Sequence, residues 1–257
     1  MAKKVLGIVG SPHKDGRTNK LVTRAIEGSK EAGADTEIIY LIDYDIPQWT
    51  SRKVRLPEEL KESMDKADSY VLGAPVYILD INGLTKDFID VVLNSKADLN
   101  GKPALGIAMA GGGGGATLAL RSIYYFFHAF GLRGISPLPV SRFNYDKALK
   151  EAYESGKHLV ELERKPFMKM FYNYEEEERA LSLAERVSYH SNLPFIDYNL
   201  VDEILWLAEQ VMEISKEKGI SIAKAEMEYE KAKELIRQGR KDESIKHAAR
   251  AYATLYY

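Results

Sequence analysis

Strand-like and helix-like segments alternate five times along the first two-thirds of the chain, which is typical of a parallel β-sheet covered by helices on both faces. The first strand-like segment, KVLGIV, is short, apolar and rich in branched side chains, as a strand buried on both faces is, and the fifth segment is weaker. The strand-like segments occupy residues 4–9, 36–41, 69–77, 104–110 and 132–140. The helix-like segments occupy residues 19–32, 56–67, 84–95, 118–131 and 145–164. The alternation predicts an α/β, doubly wound fold built on a five-stranded parallel sheet.

Three of the loops that follow strands have an unusual composition. Their sequences are GSPHKDGRTN (10–19), GAPVYILDING (73–83) and AGGGGGAT (110–117). In a sheet of order 2-1-3-4-5, the first, third and fourth strands are neighbours, and ligands bind outside their carboxyl ends where the strand order reverses. The sequence therefore predicts that the three loops meet at one binding site.

The first loop does not match the two common phosphate-binding motifs. A nucleoside-triphosphate loop has four residues between its glycines, followed by Lys and Ser or Thr. Here five residues separate Gly10 from Gly16, and Arg17 follows. The dinucleotide pattern GxGxxG is absent from this turn as well.

What the first loop offers is hydrogen-bond donors at the start of a helix, where the backbone N–H groups favour an anion. Its polar side chains are Ser11, Thr18 and Asn19, and its basic ones are His13, Lys14 and Arg17. This chemistry fits one terminal phosphomonoester. The alternative is an ordinary strand–helix turn that Thr18 caps.

The other two loops suit a flat ring. Pro75, Val76 and Tyr77 leave a strand, where backbone and an aromatic side chain could border a ring; the alternative is a stiff strand exit with Tyr77 in the core. The five glycines 111–115 let the backbone approach a planar ligand closely. A flexible linker is the usual meaning of such a run, but its place between a strand and a helix argues against one.

Together, GSPHKDGRTNKL, GAPVYILDINGLTKDFID and the glycine run followed by LALRSI resemble the NAD(P)H-dependent FMN reductase family of the flavodoxin-like superfamily. The resemblance covers residues 4–162. It implies the flavodoxin-like strand order, non-covalently bound FMN, and NADPH or NADH as electron donor. The implied activity is that of a flavin/quinone-type reductase that passes electrons to a flavin, a quinone or another small acceptor.

The resemblance also implies which residues hold FMN. Those around the phosphate are Ser11, His13, Arg17, Thr18 and Asn19, although many relatives have Arg where His13 stands. Those that border the isoalloxazine ring are Pro75, Val76, Tyr77 and Ile78. Those that face its pyrimidine side are Gly111, Gly112, Gly113 and Gly114. Because the flavin carries the chemistry, no catalytic side chain is predicted.

Cysteine is absent from the 257 residues, which excludes disulfides, thiolate nucleophiles and cysteine-ligated iron–sulfur clusters. The chain is also similar to archaeal iron–sulfur flavoproteins, which carry a compact cysteine cluster after the second strand. The corresponding stretch, DIPQWTSRKVRLPEE, has no cysteine. The five histidines show no paired metal-ligand spacing, so no metal site is predicted.

The last third of the chain lies outside the resemblance and is predicted to be all helical. We expect a flavodoxin-like FMN-binding domain over residues 1–165 and a helical extension over 166–257. The extension holds a helix at 199–217 and a helical hairpin at 221–256. Its first segment, PFMKMFYNYEEEERA, contains an aromatic–methionine cluster that could be a lid, a subunit contact or ordinary core.

Charge and hydropathy limit the partners. A net charge of −2 indicates no nucleic-acid partner, and no apolar run reaches the ~18 residues of a membrane span, so we expect a soluble cytoplasmic protein. A homodimer or homotetramer is expected because the fourth helix is unusually aromatic. Its rings are Tyr124, Tyr125, Phe126, Phe127 and Phe130. The alternative functions are a flavodoxin-like electron carrier and an interaction protein in which the helical extension is the functional part.

Overall fold

A computed structural model of the protein describes residues 2–112, 114–167 and 176–255. Its parallel strands are β1 (Lys4–Val9), β2 (Asp35–Tyr40), β3 (Ser69–Tyr77), β5 (Pro103–Ala110), β6 (Arg133–Gly134) and β7 (Leu138–Ser141). They form a sheet of order β2-β1-β3-β5, with β6 and β7 sharing the next position beside β5. The predicted flavodoxin-like order 2-1-3-4-5 is confirmed.

The strand count differs from five for two local reasons. The fifth position is divided into β6 and β7, and Pro137, which has no amide hydrogen to donate, lies in the gap between them. A short strand β4 (Asp80–Ile81) also pairs antiparallel with the end of β3. Two residues are too few for an alternating pattern to be visible in the sequence.

Helices cover both faces of the sheet. They are α1 (Arg17–Glu31), α2 (Glu58–Lys66), α3 (Gly83–Val92), α4 (Ala116–Phe130) and α5 (Tyr145–Glu161). Because successive strand residues point to opposite faces, Leu6 and Ile8 pack in the layer formed with α2, α3 and α4, whereas Val5 and Val9 pack in the layer formed with α1 and α5. These two apolar layers fix the sheet edge at which β1, β3 and β5 end.

The aromatic side chains of α4 pack mainly in the core of the monomer. Tyr124, Phe126 and Phe127 are buried, and Phe130 packs against them. Tyr125 remains 60% exposed. The aromatic content of α4 is therefore mostly explained by the core.

The C-terminal third is helical, as predicted. It contains α6 (Glu176–Ser191), α7 (Leu200–Glu217), α8 (Ala223–Arg237) and α9 (Lys241–Ala253). The last three helices share a small apolar core of their own, in which Leu205, Tyr229 and Ala248 are buried. The predicted aromatic–methionine cluster falls largely on residues 168–175, outside the described ranges. Within those ranges, no helix combines the length and apolarity that crossing a bilayer requires.

Candidate functional site

The three unusual loops lie together at the carboxyl ends of β1, β3 and β5. The backbone N–H of Gly10 donates to the carbonyl of Gly73 (2.8 Å), and the side-chain amide of Asn82 donates to the carbonyl of Gly10 (2.8 Å). A Cβ built on Gly115 would lie 2.9 Å from the Cα of Leu79, so the second and third loops are in contact. One site is therefore built from all three loops.

The first loop leads into the uncapped start of α1. Gly16 is the N-cap residue, and no side chain caps the helix. No acceptor among the described residues receives the backbone N–H of Arg17, Thr18 or Asn19. Free N–H groups and the positive end of the helix dipole would favour an anion here.

Ser11 and Thr18, which carry hydroxyl groups, lie beside these amides. The Ser11 hydroxyl is held by the backbone of His13: it accepts from the N–H (3.1 Å) and donates to the carbonyl (3.2 Å). Thr18 as a whole is only 3% exposed, and its hydroxyl has no hydrogen-bond partner in the described part of the chain. The hydroxyl oxygen is not fully buried, so a ligand can reach it.

The remaining polar residues of this loop make different contacts. The Asn19 side chain donates to the carbonyl of Lys14 and accepts from the Thr23 hydroxyl (3.1 Å), so it shapes the loop. Lys14 pairs with Asp43 (2.6 Å), which balances its charge. His13 and Arg17 are exposed, and the Arg17 guanidinium lies 5.3 Å from the centre of the Tyr145 ring.

The second loop forms a tight hairpin that the sequence did not suggest. Val76 pairs with Ile81 and Tyr77 with Asp80, which leaves Ile78 and Leu79 as a two-residue turn. Both have positive φ, 50° and 65°. A two-residue hairpin of this kind prefers Asn and Gly, and a β-branched residue at positive φ is strained. Strain of this kind clusters at ligand sites, and Ile78 is 97% exposed.

The Asn82 side chain connects the hairpin to the first loop. It stands at the N-cap position of α3, but its side chain does not cap that helix. It donates to Gly10 instead, and its oxygen accepts from the Thr85 hydroxyl (2.6 Å). Asn82 is only 3% exposed, so it positions the loops beneath the site.

The glycine loop has an open half and a packed half. A Cβ on Gly111 or Gly112 would meet no atom within 4 Å. Gly113 lies outside the described residues. Gly114 and Gly115 have φ of 96° and 95°, a conformation that other residues rarely adopt. The open half is where backbone can approach a flat ligand.

Glu203 of α7 holds the packed half. Its carboxylate accepts from the backbone N–H of Gly115 (2.5 Å) and of Thr117 (3.0 Å), and also from the Thr117 hydroxyl. Glu203 is only 3% exposed. The sequence carries no signal for this contact, because it joins segments 88 positions apart along the chain.

The described residues fit a flat heterocycle that carries one phosphate. Unpaired amides and the Thr18 hydroxyl suit the phosphate, the hairpin offers apolar edges, and the open glycines leave room beside a ring. The arrangement as a whole is consistent with FMN.

Comparison with known proteins agrees with this geometry. The sequence profile of the NADPH-dependent FMN reductase family matches residues 3–139. An iron–sulfur flavoprotein of Methanocaldococcus jannaschii is 27% identical over 186 residues, which is 62% of this chain and 96% of that protein. An NADPH azoreductase of a Bacillus species is 30% identical over 125 residues, which is 47% of this chain and 66% of that protein.

A solved structure with the same fold is the NAD(P)H:quinone oxidoreductase of Methanothermobacter marburgensis. It matches with a TM-score of 0.52 at 17% identity, covering 62% of this chain and all of that one. The iron–sulfur relatives differ in one respect that the sequence settles: this chain has no cysteine to ligate a cluster.

The family profile spans more than half of the 257 residues, and its match contains all three loops of the site. FMN and a reduced nicotinamide follow as cofactor and electron donor. The chain therefore belongs to the NADPH-dependent FMN reductase family and is an FMN-dependent NAD(P)H oxidoreductase.

Proposed function

We propose that this protein passes electrons from NADPH or NADH through FMN to a small acceptor, such as a second flavin or a quinone. The observation that carries the proposal is the convergence of three loops, each suited to a different part of FMN. An anion site, a strained apolar hairpin and an open glycine backbone lie at one edge of one sheet.

The first loop would hold the phosphate of FMN. The backbone amides of residues 17–19 and the Thr18 hydroxyl would donate to it, and Arg17 and His13 would add positive charge. Ser11 and Asn19 contribute through the backbone that their side chains hold. Charge-assisted bonds of this kind are the strong ones.

The second and third loops would hold the ring. Pro75, Val76, Tyr77 and Ile78 would border it, and Gly111 to Gly114 would face its pyrimidine side. Bound FMN supplies hydride acceptance at N5 and onward transfer of one or two electrons. The residues around the ring would exclude water from its edges, and the two substrates would react in turn.

A second substrate has room beside the hairpin. A cleft of about 430 Å³ is bounded by Leu79, Leu118 of α4, Leu200 of α7 and Ile245 of α9. Arg121 and Lys241 also line it, and neither has an ion-pair partner among the described residues. Apolar walls with two unpaired cations favour a flat acceptor that carries negative charge, and FMN is itself such a molecule.

The test is to identify the chromophore and then the acceptor. The purified protein should release FMN, and not FAD or riboflavin, on denaturation. Steady-state reduction of free FMN and of a quinone by NADPH should then follow ping-pong kinetics. A protein that binds FMN but reacts slowly with NAD(P)H would be an electron carrier instead. One that retains no flavin would be an interaction protein.

We also propose that the chain divides into an FMN-binding domain at 1–165 and a helical extension at 166–257, and that it assembles as a homodimer or homotetramer. Tyr125, Leu93 and Trp49 are exposed around a groove of about 510 Å³ between α3 and α4. A second copy of this surface would cover it. Light scattering of wild type and Tyr125→Glu tests this: a wild-type oligomer that the variant loses is expected, and a wild-type monomer contradicts it.

A further inference from the structure

We propose that the helical extension is part of the flavin site, and that Glu203 of α7 is the residue that positions the glycine loop for the flavin ring. This inference rests on the proposed function, because it takes the glycine loop to be the ring-binding segment. It assigns a role to a part of the chain that lies beyond the family match at residues 3–139.

Both oxygens of the Glu203 carboxylate accept hydrogen bonds from one short segment. Three donors reach it: the N–H of Gly115, the N–H of Thr117 and the Thr117 hydroxyl. These groups form the first turn of α4, the positive end of that helix, so a carboxylate is favoured there. A buried carboxylate without such donors would be costly, which makes the contact specific.

The glycine loop needs an anchor of this kind. Its five consecutive glycines carry no side chains that could pack, and glycine loses more conformational freedom on ordering than any other residue. One end of the loop is fixed by β5, which pairs with β3 up to Met109. The other end is fixed by Glu203 and by two apolar contacts.

Those two contacts come from different elements. A Cβ on Gly114 would lie 2.7 Å from the Leu207 Cδ1 of α7, and one on Gly115 would lie 2.9 Å from the Cα of Leu79 in the hairpin. The packed half therefore contacts both the helical extension and the hairpin. The open half, Gly111 and Gly112, directly follows β5, so the loop is anchored at both of its ends.

A loop held in place before the ligand arrives costs less to order when the ligand binds. Without Glu203, part of the free energy of flavin binding is spent on ordering the glycine loop. The affinity for flavin therefore falls. The ring, and not the phosphate, faces this loop. FMN and riboflavin should therefore lose affinity by the same factor, whereas a phosphate-loop change should affect FMN alone.

The experiment compares Glu203→Gln with Glu209→Ala in the full chain. Glu209 is the matched control: it is a second glutamate of α7, and its carboxylate accepts from the hydroxyl of Tyr229, a residue of α8 in the core of the extension. For Glu203→Gln we expect about 10-fold weaker binding of both FMN and riboflavin. Glu209→Ala should lower the melting temperature without changing either affinity.

Two further measurements separate positioning from general stability. The amides of Gly115 and Thr117 should exchange hydrogen faster in apo Glu203→Gln than in apo Glu209→Ala. The visible band of bound flavin should shift in Glu203→Gln only. Thr117→Val, which removes one donor and keeps the carboxylate, provides a milder variant if Glu203→Gln does not fold, and a smaller loss for both flavins is expected.

The outcomes distinguish this inference from the proposed function. If wild type binds neither FMN nor riboflavin, the proposed function fails. If wild type binds both, and both Glu203→Gln and Thr117→Val bind them as tightly, only the role of Glu203 is overturned. A loss for FMN alone would also overturn it, because that would place the effect at the phosphate.

Discussion

The backbone N–H of Gly115 donates to the carboxylate of Glu203 at 2.5 Å. Gly115 ends the glycine loop of the sheet domain, and Glu203 lies in the second helix of the C-terminal extension. The loop that would face the flavin and the extension that follows the family match are therefore packed as neighbours. A substitution in either the loop or the extension is expected to change flavin binding.

Replacing Thr18 by Val should weaken FMN binding selectively. The Thr18 hydroxyl has no hydrogen-bond partner among the described residues, and a hydrogen bond from it to a phosphate would contribute roughly 1.5–3 kcal/mol. We expect the Kd of FMN to rise by roughly 10-fold or more, and that of riboflavin to stay unchanged. Fluorescence titration of the apo-protein with each flavin measures both. Equal losses for the two ligands would show that this loop does not bind the phosphate.

Replacing Gly112 by Val should separate folding from flavin binding. The new Cβ meets no protein atom within 4 Å, so the melting temperature of the apo-protein should be unchanged. The same side chain would block the approach of a flat ring, and flavin affinity should fall more than ~10-fold.

Gly115→Ala is the contrasting variant. Its φ is 95°, and its Cβ would lie 2.9 Å from the Cα of Leu79, so it should destabilise the apo-protein itself. If Gly112→Val instead lowered the apo melting temperature and left flavin affinity intact, the open half of the loop would be a structural turn.

Replacing Ile78 by Asn should stabilise the apo-protein while impairing the site. Ile78 has φ of 50° and is 97% exposed, so it holds a strained backbone with little packing in return. Asn tolerates this conformation, so the substitution should raise the free energy of unfolding by about 1 kcal/mol. Urea unfolding should show the gain, and flavin titration should show weaker binding from the lost apolar edge. A less stable apo-protein would mean that the hairpin needs Ile78 for its fold.

Replacing Arg121 by Gln should alter acceptor preference. Arg121 lines the cleft beside the hairpin without an ion-pair partner in the described ranges. A sulfonated quinone serves as an anionic acceptor. Loss of the Arg121 charge should raise its KM by about 5-fold, which corresponds to the loss of roughly 1 kcal/mol of electrostatic attraction. The KM of an uncharged quinone should not change.

Lys246→Gln, an exposed position on α9 outside the cleft, is the control and should leave both KM values as they are. An equal rise in both KM values for Arg121→Gln would place the acceptor elsewhere.

The stability of the fold should fall in mild acid because of a histidine pair. His190 of α6 and His128 of α4 approach within 3.4 Å between their Nδ1 atoms, beside Arg186. Burial lowers the pKa of both histidines from the ordinary 6.5, and the Arg186 charge lowers it further. The unfolded chain therefore binds more protons below about pH 6.5. The stabilisation is present above that pH and is lost as pH falls through the lowered pKa values.

Chemical unfolding between about pH 5 and pH 8 measures this loss. His190→Gln should flatten the dependence, whereas His158→Gln, at an exposed histidine that pairs with Glu161, should retain it. A dependence that is the same in wild type and His190→Gln would assign the acid loss to other groups.

The fold could be predicted well from the sequence because each strand carries its own signal. Short strand-like runs that alternate with helix-like segments predicted β1, β2, β3 and β5, and the rule that ligands bind at the carboxyl ends of parallel strands predicted that the three loops meet. The fifth position was predicted as one strand, and the gap at Pro137 divides it.

Two parts of the site could not be predicted, for physical reasons. Ile78 and Leu79 contradict the residue preference of the turn they form, so the hairpin has no sequence signature. Glu203 looks like any acidic residue in the first turn of a helix, and only the packing of α7 against α4 shows that its carboxylate serves a different helix.

The most direct test of FMN-dependent electron transfer is anaerobic titration of the purified protein with NADPH and with NADH, followed by its visible spectrum. We expect a flavin band that bleaches with one equivalent of nicotinamide and returns when FMN or a quinone is added. A colourless protein that takes up no FMN, or a flavin band that neither nicotinamide bleaches, would contradict that expectation.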